Sequence, residues 1–167
     1  MAKIILVDAT DLVVGVKERT EISSSDIYRV SALWVTNSKG KILLARRAFT
    51  KSNDPGKWGP AVAGTVEEGE TYQTNIKKET FEELGVSDIE FVVSCKLNNT
   101  SKERKHKYFS QWFTVKIDKR AEDFNIDSKE VAEVKWFTQK ELKEAVIKQP
   151  EQFLEIIKKW VSAEIIF

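Results

Sequence analysis

Residues 64–85 read Gly64-Thr65-Val66-Glu67-Glu68-Gly69-Glu70-Thr71-Tyr72-Gln73-Thr74-Asn75-Ile76-Lys77-Lys78-Glu79-Thr80-Phe81-Glu82-Glu83-Leu84-Gly85. Segment 71–84 has no glycine or proline, opens on a threonine suited to an N-cap and is followed by Gly85, a residue type that commonly ends helices. A helix is predicted there. Across 64–86 six acids (Glu67, Glu68, Glu70, Glu79, Glu82, Glu83) face two bases (Lys77, Lys78), a local charge of −4 in a chain whose net charge is +1. Such a run is commonly just a solvated face, but the spacing argues for more. At about 100° per residue Glu79, Glu82 and Glu83 share one side of the helix, while Ile76, Thr80 and Leu84 form the face that meets the core. Glu83 projects only about 20° from Ile76, at the edge of that buried stripe. Like charges one turn apart repel, and partial burial adds a desolvation cost. A divalent cation reverses the sign of both effects, and Mg²⁺ takes a few carboxylates and fills its remaining positions with water and phosphate oxygens.

Outward from this stretch, composition narrows the classes. The chain has 167 residues, 41% hydrophobic and 32% charged, enough for one domain with its own core. Balanced charge argues against a protein held to nucleic acid by bulk electrostatics, and no sequence-specific nucleic-acid partner is expected. One cysteine, Cys95, and one histidine, His106, exclude internal disulfides and zinc sites rich in Cys or His. A catalytic metal would therefore be a hard one held by carboxylates. The longest aliphatic run, 4–7, is far too short to span a bilayer, and no leader pattern precedes it, so a cytoplasmic protein with no membrane partner is expected.

Local patterns supply the other elements. Segments 4–7 and 12–16 read as a first hairpin within an N-terminal extension, 1–25, that either covers its own sheet or pairs with another chain, leaving a homodimer open. Segments 27–35 and 41–45 flank the turn 37–40 as a second hairpin, followed by a polar loop over 48–60. Strands are expected over 89–96, 108–117 and 131–137. Thr138-Gln139-Lys140-Glu141 is a capping box opening a helix to about Lys148, and Pro150 suits the first position of a last helix striped by Phe153, Leu154, Ile157, Trp160 and Val161. The C-terminal helices thus occupy 138–163. Strands outnumber helices, and the class is α+β.

The order Gly64, five residues, Glu70, seven residues, Lys78-Glu79, two residues, Glu82-Glu83, one residue, Gly85-Val86 resembles the Nudix box of the Nudix hydrolases. The resemblance implies a single Nudix domain over 1–167, an α/β/α sandwich whose mixed sheet carries the box helix (64–86) and the C-terminal helices. It implies cleavage of a diphosphate with Mg²⁺ or Mn²⁺ and an attacking water, a pyrophosphohydrolase acting on acid anhydrides of small molecules. By the same resemblance Glu79 and Glu83 are metal ligands, Glu82 a further ligand or catalytic carboxylate, and Gly64 a ligand through its carbonyl. Gly64, Glu70 and Gly85 frame the box, and Lys78, with Glu79 and Glu82 in the catalytic set, supports Glu70. Two positions depart from the family pattern: Thr80 replaces an aliphatic residue, and Lys78 replaces an arginine, keeping the charge but losing a planar fork.

Beyond the box, 42–47, 55–58 and, weakly, 130–137 and the late helices are similar to the branch containing isopentenyl-diphosphate isomerases. Those enzymes place a cysteine just before the box glycine, where this chain has Ala63, and histidines around the metal, whereas its one histidine is His106. Hydrolysis is therefore expected over isomerisation, with a non-catalytic ligand-binding module as the third alternative. Arg46, Arg47, Lys57 and Trp58 are candidate substrate contacts, and strand alternation allows at most one of the two arginines to face a phosphate. Trp58 is read as packing or base stacking, and the basic loop 102–107 as a solvated turn or an anion-touching lid. Cys95 is read as a small buried hydrophobe. The general base is left among Glu82, Glu103 and Glu130.

Overall fold

The computed structural model describes residues 2–101 and 105–163. Its described strands are β1 (Lys3–Val7), β2 (Val13–Glu18), β3 (Ile27–Thr36), β4 (Ile42–Arg47), β5 (Trp58–Pro60), β6 (Val62–Thr65), β7 (Val92–Thr100), β8 (Lys107–Lys116) and β9 (Val131–Phe137), with helices α1 (Tyr72–Leu84), α2 (Gln139–Lys148) and α3 (Glu155–Ser162). The ten-residue β3 organises the sheet. Along one edge it runs parallel to β8 from Ile27↔Lys107 to Thr36↔Lys116. Along the other it meets β1, β6 and β4 in turn, all antiparallel. β4 carries β5 and β9, β8 carries β7, and β2 is the outer strand beyond β1.

Period-two alternation divides the core between the two faces of the sheet. Trp34, Ile42, Leu44 and Trp112 point to one side and pack with Leu142 and Val146 of α2 and Ile157 and Trp160 of α3. The Trp160 ring centroid lies 4.3 Å from that of Trp34 and 4.2 Å from that of Trp112. Leu33, Val35, Leu43, Val62, Phe113 and Val115 point to the other side, against Ile76 and Leu84 of α1. The α+β fold is thus a mixed sheet between α1 and the α2–α3 pair. Among the described residues no helix is long and apolar enough to cross a membrane.

Helix α1 begins and ends where its residues dictate. Thr71 and Thr74 form a reciprocal cap, and Gly85 takes φ 65°, donating its N–H to the Phe81 carbonyl. Thr80 is buried, its hydroxyl bonded to the Ile76 carbonyl at 2.6 Å, so the polar atom is satisfied where an aliphatic side chain would sit. The box at Thr138 and Glu141 also forms.

Three expectations are corrected. The loop over 48–60 contains β5, because Trp58 to Pro60 pairs with β4. The strand expected over 89–96 starts at Val92: Ile89 and Phe91 fill the α1 side of the core ahead of it, and backbone pairing with β8 carries it on through the polar Asn98, Asn99 and Thr100. Pro150 opens a short 3₁₀ turn, Pro150–Gln152, rather than the last helix. Phe153 is extended and bridges to Trp58, and Leu154 donates to the Trp58 carbonyl at 2.9 Å, so α3 begins only at Glu155.

The first hairpin covers its own sheet. Leu6 and Val7 pair with Tyr28 and Ile27, and the turn residue Asp11 is bound by Arg29 (2.7 Å), Lys96 (2.5 Å) and the Tyr72 hydroxyl (3.0 Å). Burial disfavours the Asp11 charge, but Lys96, Arg29 and Tyr72 hold its pKa below the ordinary aspartate value. This charge cluster around the buried Asp11 carboxylate ties the hairpin to the first residue of α1.

Candidate active site

The site is built where α1 crosses β6. Gly64 pairs with Ser31 of β3, and the Ser31 hydroxyl donates to the Tyr72 carbonyl at 2.9 Å, fixing the start of the helix on the sheet. Glu79 then lies across Gly64: a Cβ there would stand 2.4 Å from both Glu79 Cγ and Cδ. Only glycine permits that approach.

Lys78 sits among three carboxylates. Its Nζ is 2.7 Å from Glu70 Oε1, 3.3 Å from Glu67 Oε2 and 3.5 Å from Glu79 Oε1. Burial opposes the ammonium charge, but Glu70, Glu79 and Glu67 more than offset it, and the Lys78 pKa stands above that of ordinary lysine. Glu70 shows the converse: despite burial, Lys78, the Glu67 N–H and the Asn75 amide hold its pKa down. Glu79 and Glu83 are not relieved in this way. Burial raises the Glu79 pKa, with Lys78 opposing and Glu82 adding repulsion. Burial also raises that of Glu83 strongly, with Glu79 and Glu130 adding to it and Arg47 and the Ala63 N–H only partly countering.

These carboxylates face a cavity of about 1030 Å³. Glu79, Glu82, Glu83, Gly64 and Lys78 line one wall, with Glu130 and Asp127 beside them; Arg47, Lys51, Lys57, Lys158 and Lys159 supply positive charge around it. Lys51 pairs with Glu130 at 2.6 Å, and Lys57 with Asp54 at 3.1 Å. Farther along the cavity Tyr28 and Tyr108, neighbours across β3 and β8, stack with ring centroids 5.7 Å apart and planes 20° apart. Among the described residues no three acidic, cysteine or histidine side chains already form a metal cage. The donor set nevertheless fits a hard cation: crowded carboxylates, with Glu79 and Glu83 drawn out of water and repelled by their neighbours, beside a glycine backbone kept open.

Two candidate substrate contacts lie elsewhere. Arg46 points away from the cavity, its Nε bonded to the Gly56 carbonyl at 2.9 Å and its Nη1 to Glu133 at 3.0 Å. Trp58 is a core residue, edge-on to Phe137 with centroids 5.5 Å apart. Of the pair Arg46 and Arg47, it is Arg47 that lines the cavity, its Nε held by the Asn53 carbonyl. Glu103, with Lys102 and Arg104 of the basic loop, falls outside the described residues. Lys105, His106 and Lys107 do not line the cavity, although His106 meets Tyr28 edge-on at 6.0 Å. Cys95 is half-buried and packs against the tryptophan cluster on the α2–α3 face. Sequence reasoning missed Asn75, wholly buried beneath Glu70 and Glu79, and the Tyr28–Tyr108 pair. Asn75 lies outside the predicted apolar face, one turn before Glu79, so the sequence carried no local signal for the first. The second depended on the parallel pairing of two distant strands.

A mixed sheet between helices, with an acid-lined helix and a glycine beside a cavity, defines an α+β sandwich with an acidic candidate site. The chain belongs to the Nudix family: the NUDIX domain matches residues 27–160. It is 39% identical over 83 residues to an uncharacterised Nudix hydrolase of Nostoc sp., a stretch that is 48% of this chain and 49% of that protein. It is 27% identical over 158 residues to an isopentenyl-diphosphate Delta-isomerase of Brevibacterium linens, covering 92% of this chain and 86% of that one. In fold it resembles a Deinococcus radiodurans protein (TM-score 0.78, 24% identity, 96% of this chain and 98% of that chain) and the NUDIX domain of Shewanella oneidensis NrtR solved with ADP ribose (TM-score 0.59, 17% identity, 90% and 94%).

Proposed function

We propose that this protein is a metal-dependent pyrophosphohydrolase that cleaves the diphosphate of a nucleoside diphosphate derivative or a similar organic diphosphate. The observation that carries the reading is the cavity wall made by Glu79, Glu82 and Glu83, with two of those carboxylates raised in pKa by burial and mutual repulsion. Glu79, Glu83 and Glu82, with the Gly64 backbone, would hold Mg²⁺ or Mn²⁺. Once bound, the ion would supply Lewis-acid charge to the phosphoryl oxygens. Arg47 and the lysines of the cavity bind and orient the diphosphate by charge, and Lys78 keeps Glu70 and Glu79 in place. A water oxygen attacks one phosphorus, the P–O bond to the other phosphate breaks, and the water proton passes to a carboxylate, with Glu82 and Glu130 the described candidates. Burial of Glu79 and Glu83 strengthens the interactions those two carboxylates make.

The Tyr28–Tyr108 pair favours an aromatic leaving moiety. Tyr28 and Tyr108 line the same cavity as Glu79, Glu82 and Glu83. A cavity that holds both a carboxylate wall and stacked rings suits a base carried on a diphosphate. Isomerase chemistry is disfavoured, because Ala63 at the cavity wall carries no thiol and Cys95 does not line the cavity. The test is product analysis with Mg²⁺ over a panel of nucleoside diphosphate derivatives, with isopentenyl diphosphate alongside. Release of a monophosphate from at least one derivative is expected. Isomerisation of isopentenyl diphosphate, or tight binding across the panel without turnover, would overturn the reading.

A further inference from the structure

Asn75 is fully buried on α1, three and four residues before Lys78 and Glu79, so the three side chains share one face of the helix. Its amide nitrogen donates to Glu70 Oε2 at 2.9 Å, to the Thr65 carbonyl at 3.2 Å and to Glu79 Oε1 at 3.4 Å. Lys78 Nζ approaches the other Glu70 oxygen, Oε1, at 2.7 Å and the same Glu79 oxygen at 3.5 Å. Two nitrogens from two residues therefore grip Glu70 by both its oxygens, and both also reach Glu79. The amide orientation is dictated by its neighbours, since an oxygen in that place would meet carboxylate oxygens. The cost is visible: Asn75 Oδ1 is buried with no hydrogen-bond partner. A buried amide with an orphaned oxygen is poor helix packing, but it is explained if the nitrogen is what the site requires.

We infer that Asn75 is a positioning residue that, with Lys78, forms a divided fork doing the work of one guanidinium: holding Glu70 at two points and presenting Glu79 to the cavity. A lone ammonium is a single point charge and cannot fix a carboxylate's plane; a guanidinium offers paired, coplanar donors. Here the amide supplies the second donor. The inference rests on the reading of Glu79 as a metal-binding carboxylate.

The test compares the effect of N75A beside the native lysine with its effect beside K78R. The readouts are Mn²⁺ affinity by electron paramagnetic resonance, steady-state kinetics and the thermal midpoint of metal-free protein. Beside the lysine, N75A should weaken Mn²⁺ binding by about 10-fold, the usual scale for losing support behind a metal ligand, and lower kcat with little change in KM. Beside K78R, whose fork reaches both Glu70 oxygens alone, the same substitution should cost less than about 3-fold in either quantity. Equal losses in both backgrounds would overturn the divided fork. Should N75A alone not fold, the double variant decides: a folded double variant supports the inference, and an unfolded one overturns it. If the native protein binds no Mn²⁺, the metal-site reading fails. The fork is then judged by the metal-free midpoint, where N75A must produce a smaller shift beside K78R than beside lysine, and equal shifts count against it.

Discussion

Glu83 shows how one residue links stability, pH and chemistry. Its carboxyl is held well above the ordinary glutamate value by burial first and by Glu79 and Glu130 next, and Glu79 is raised for similar reasons. A group whose pKa is raised in the folded state stabilises the fold below its unfolded value, near 4.5, and that contribution disappears as pH climbs through the folded value. Metal-free protein should therefore lose thermal stability as pH rises from about 4.5 towards neutrality. Glu83→Gln, which cannot ionise, should flatten part of that fall, as a pH series of thermal melts would record. A midpoint that rises across the same range in the native protein would contradict the burial of these charges. At Lys78 the expectation concerns turnover. Lys78→Met keeps much of the stem but leaves Glu67, Glu70 and Glu79 without their shared cation. Its kcat should drop about 10-fold or more, equivalent to roughly 1.4 kcal/mol. Steady-state kinetics showing kcat unchanged would separate Lys78 from the carboxylates.

At the scale of elements, α1 is held by its cap as well as by its apolar face. Thr71→Ala removes the hydroxyl that accepts from the Thr74 N–H at 3.1 Å and should cost about 1 kcal/mol in a denaturant titration, while turnover of the folded protein stays within a few-fold. The limits of α1, the Gly85 stop and the capping box of α2 were legible in the sequence because each is set by local chemistry within a turn of helix. So were the crowding of Glu79 and Glu83 and the opposite facing of Arg46 and Arg47, which follow from helical and strand periods alone. Elements set by distant partners were less legible. Pro150 carries a local signal for a helix start, but the Trp58 carbonyl captures Leu154 and delays α3. Trp58 reads as packing or base stacking, and only its pairing with β4 and its contact with Phe137 decide for packing. Asn75 reads as an ordinary helix residue until Glu70 is folded back beneath it.

For the whole molecule, the N-terminal hairpin is tied to the site through charge. Asp11 bridges Arg29 on β3, Lys96 on β7 and Tyr72 at the head of α1, three elements brought together only by the complete sheet. Asp11→Ala would leave two cations without their carboxylate. It should destabilise the fold by about 3 kcal/mol, the lower end for a broken buried pair because the Lys96 side chain is partly exposed. A denaturant midpoint shifted by less than about 0.5 kcal/mol would show the cluster to be ornamental surface charge. The central claim concerns the carboxylate wall that this architecture assembles: diphosphate turnover depends on it. The most direct test is the initial rate of Mg²⁺-dependent cleavage of one accepted nucleoside diphosphate derivative by native protein and by Glu83→Gln at saturating Mg²⁺. The variant should remain folded and lose at least about 100-fold in turnover, because an amide relieves the repulsion but binds the cation poorly. Turnover within a few-fold of the native rate would place the metal, and the chemistry, away from this helix.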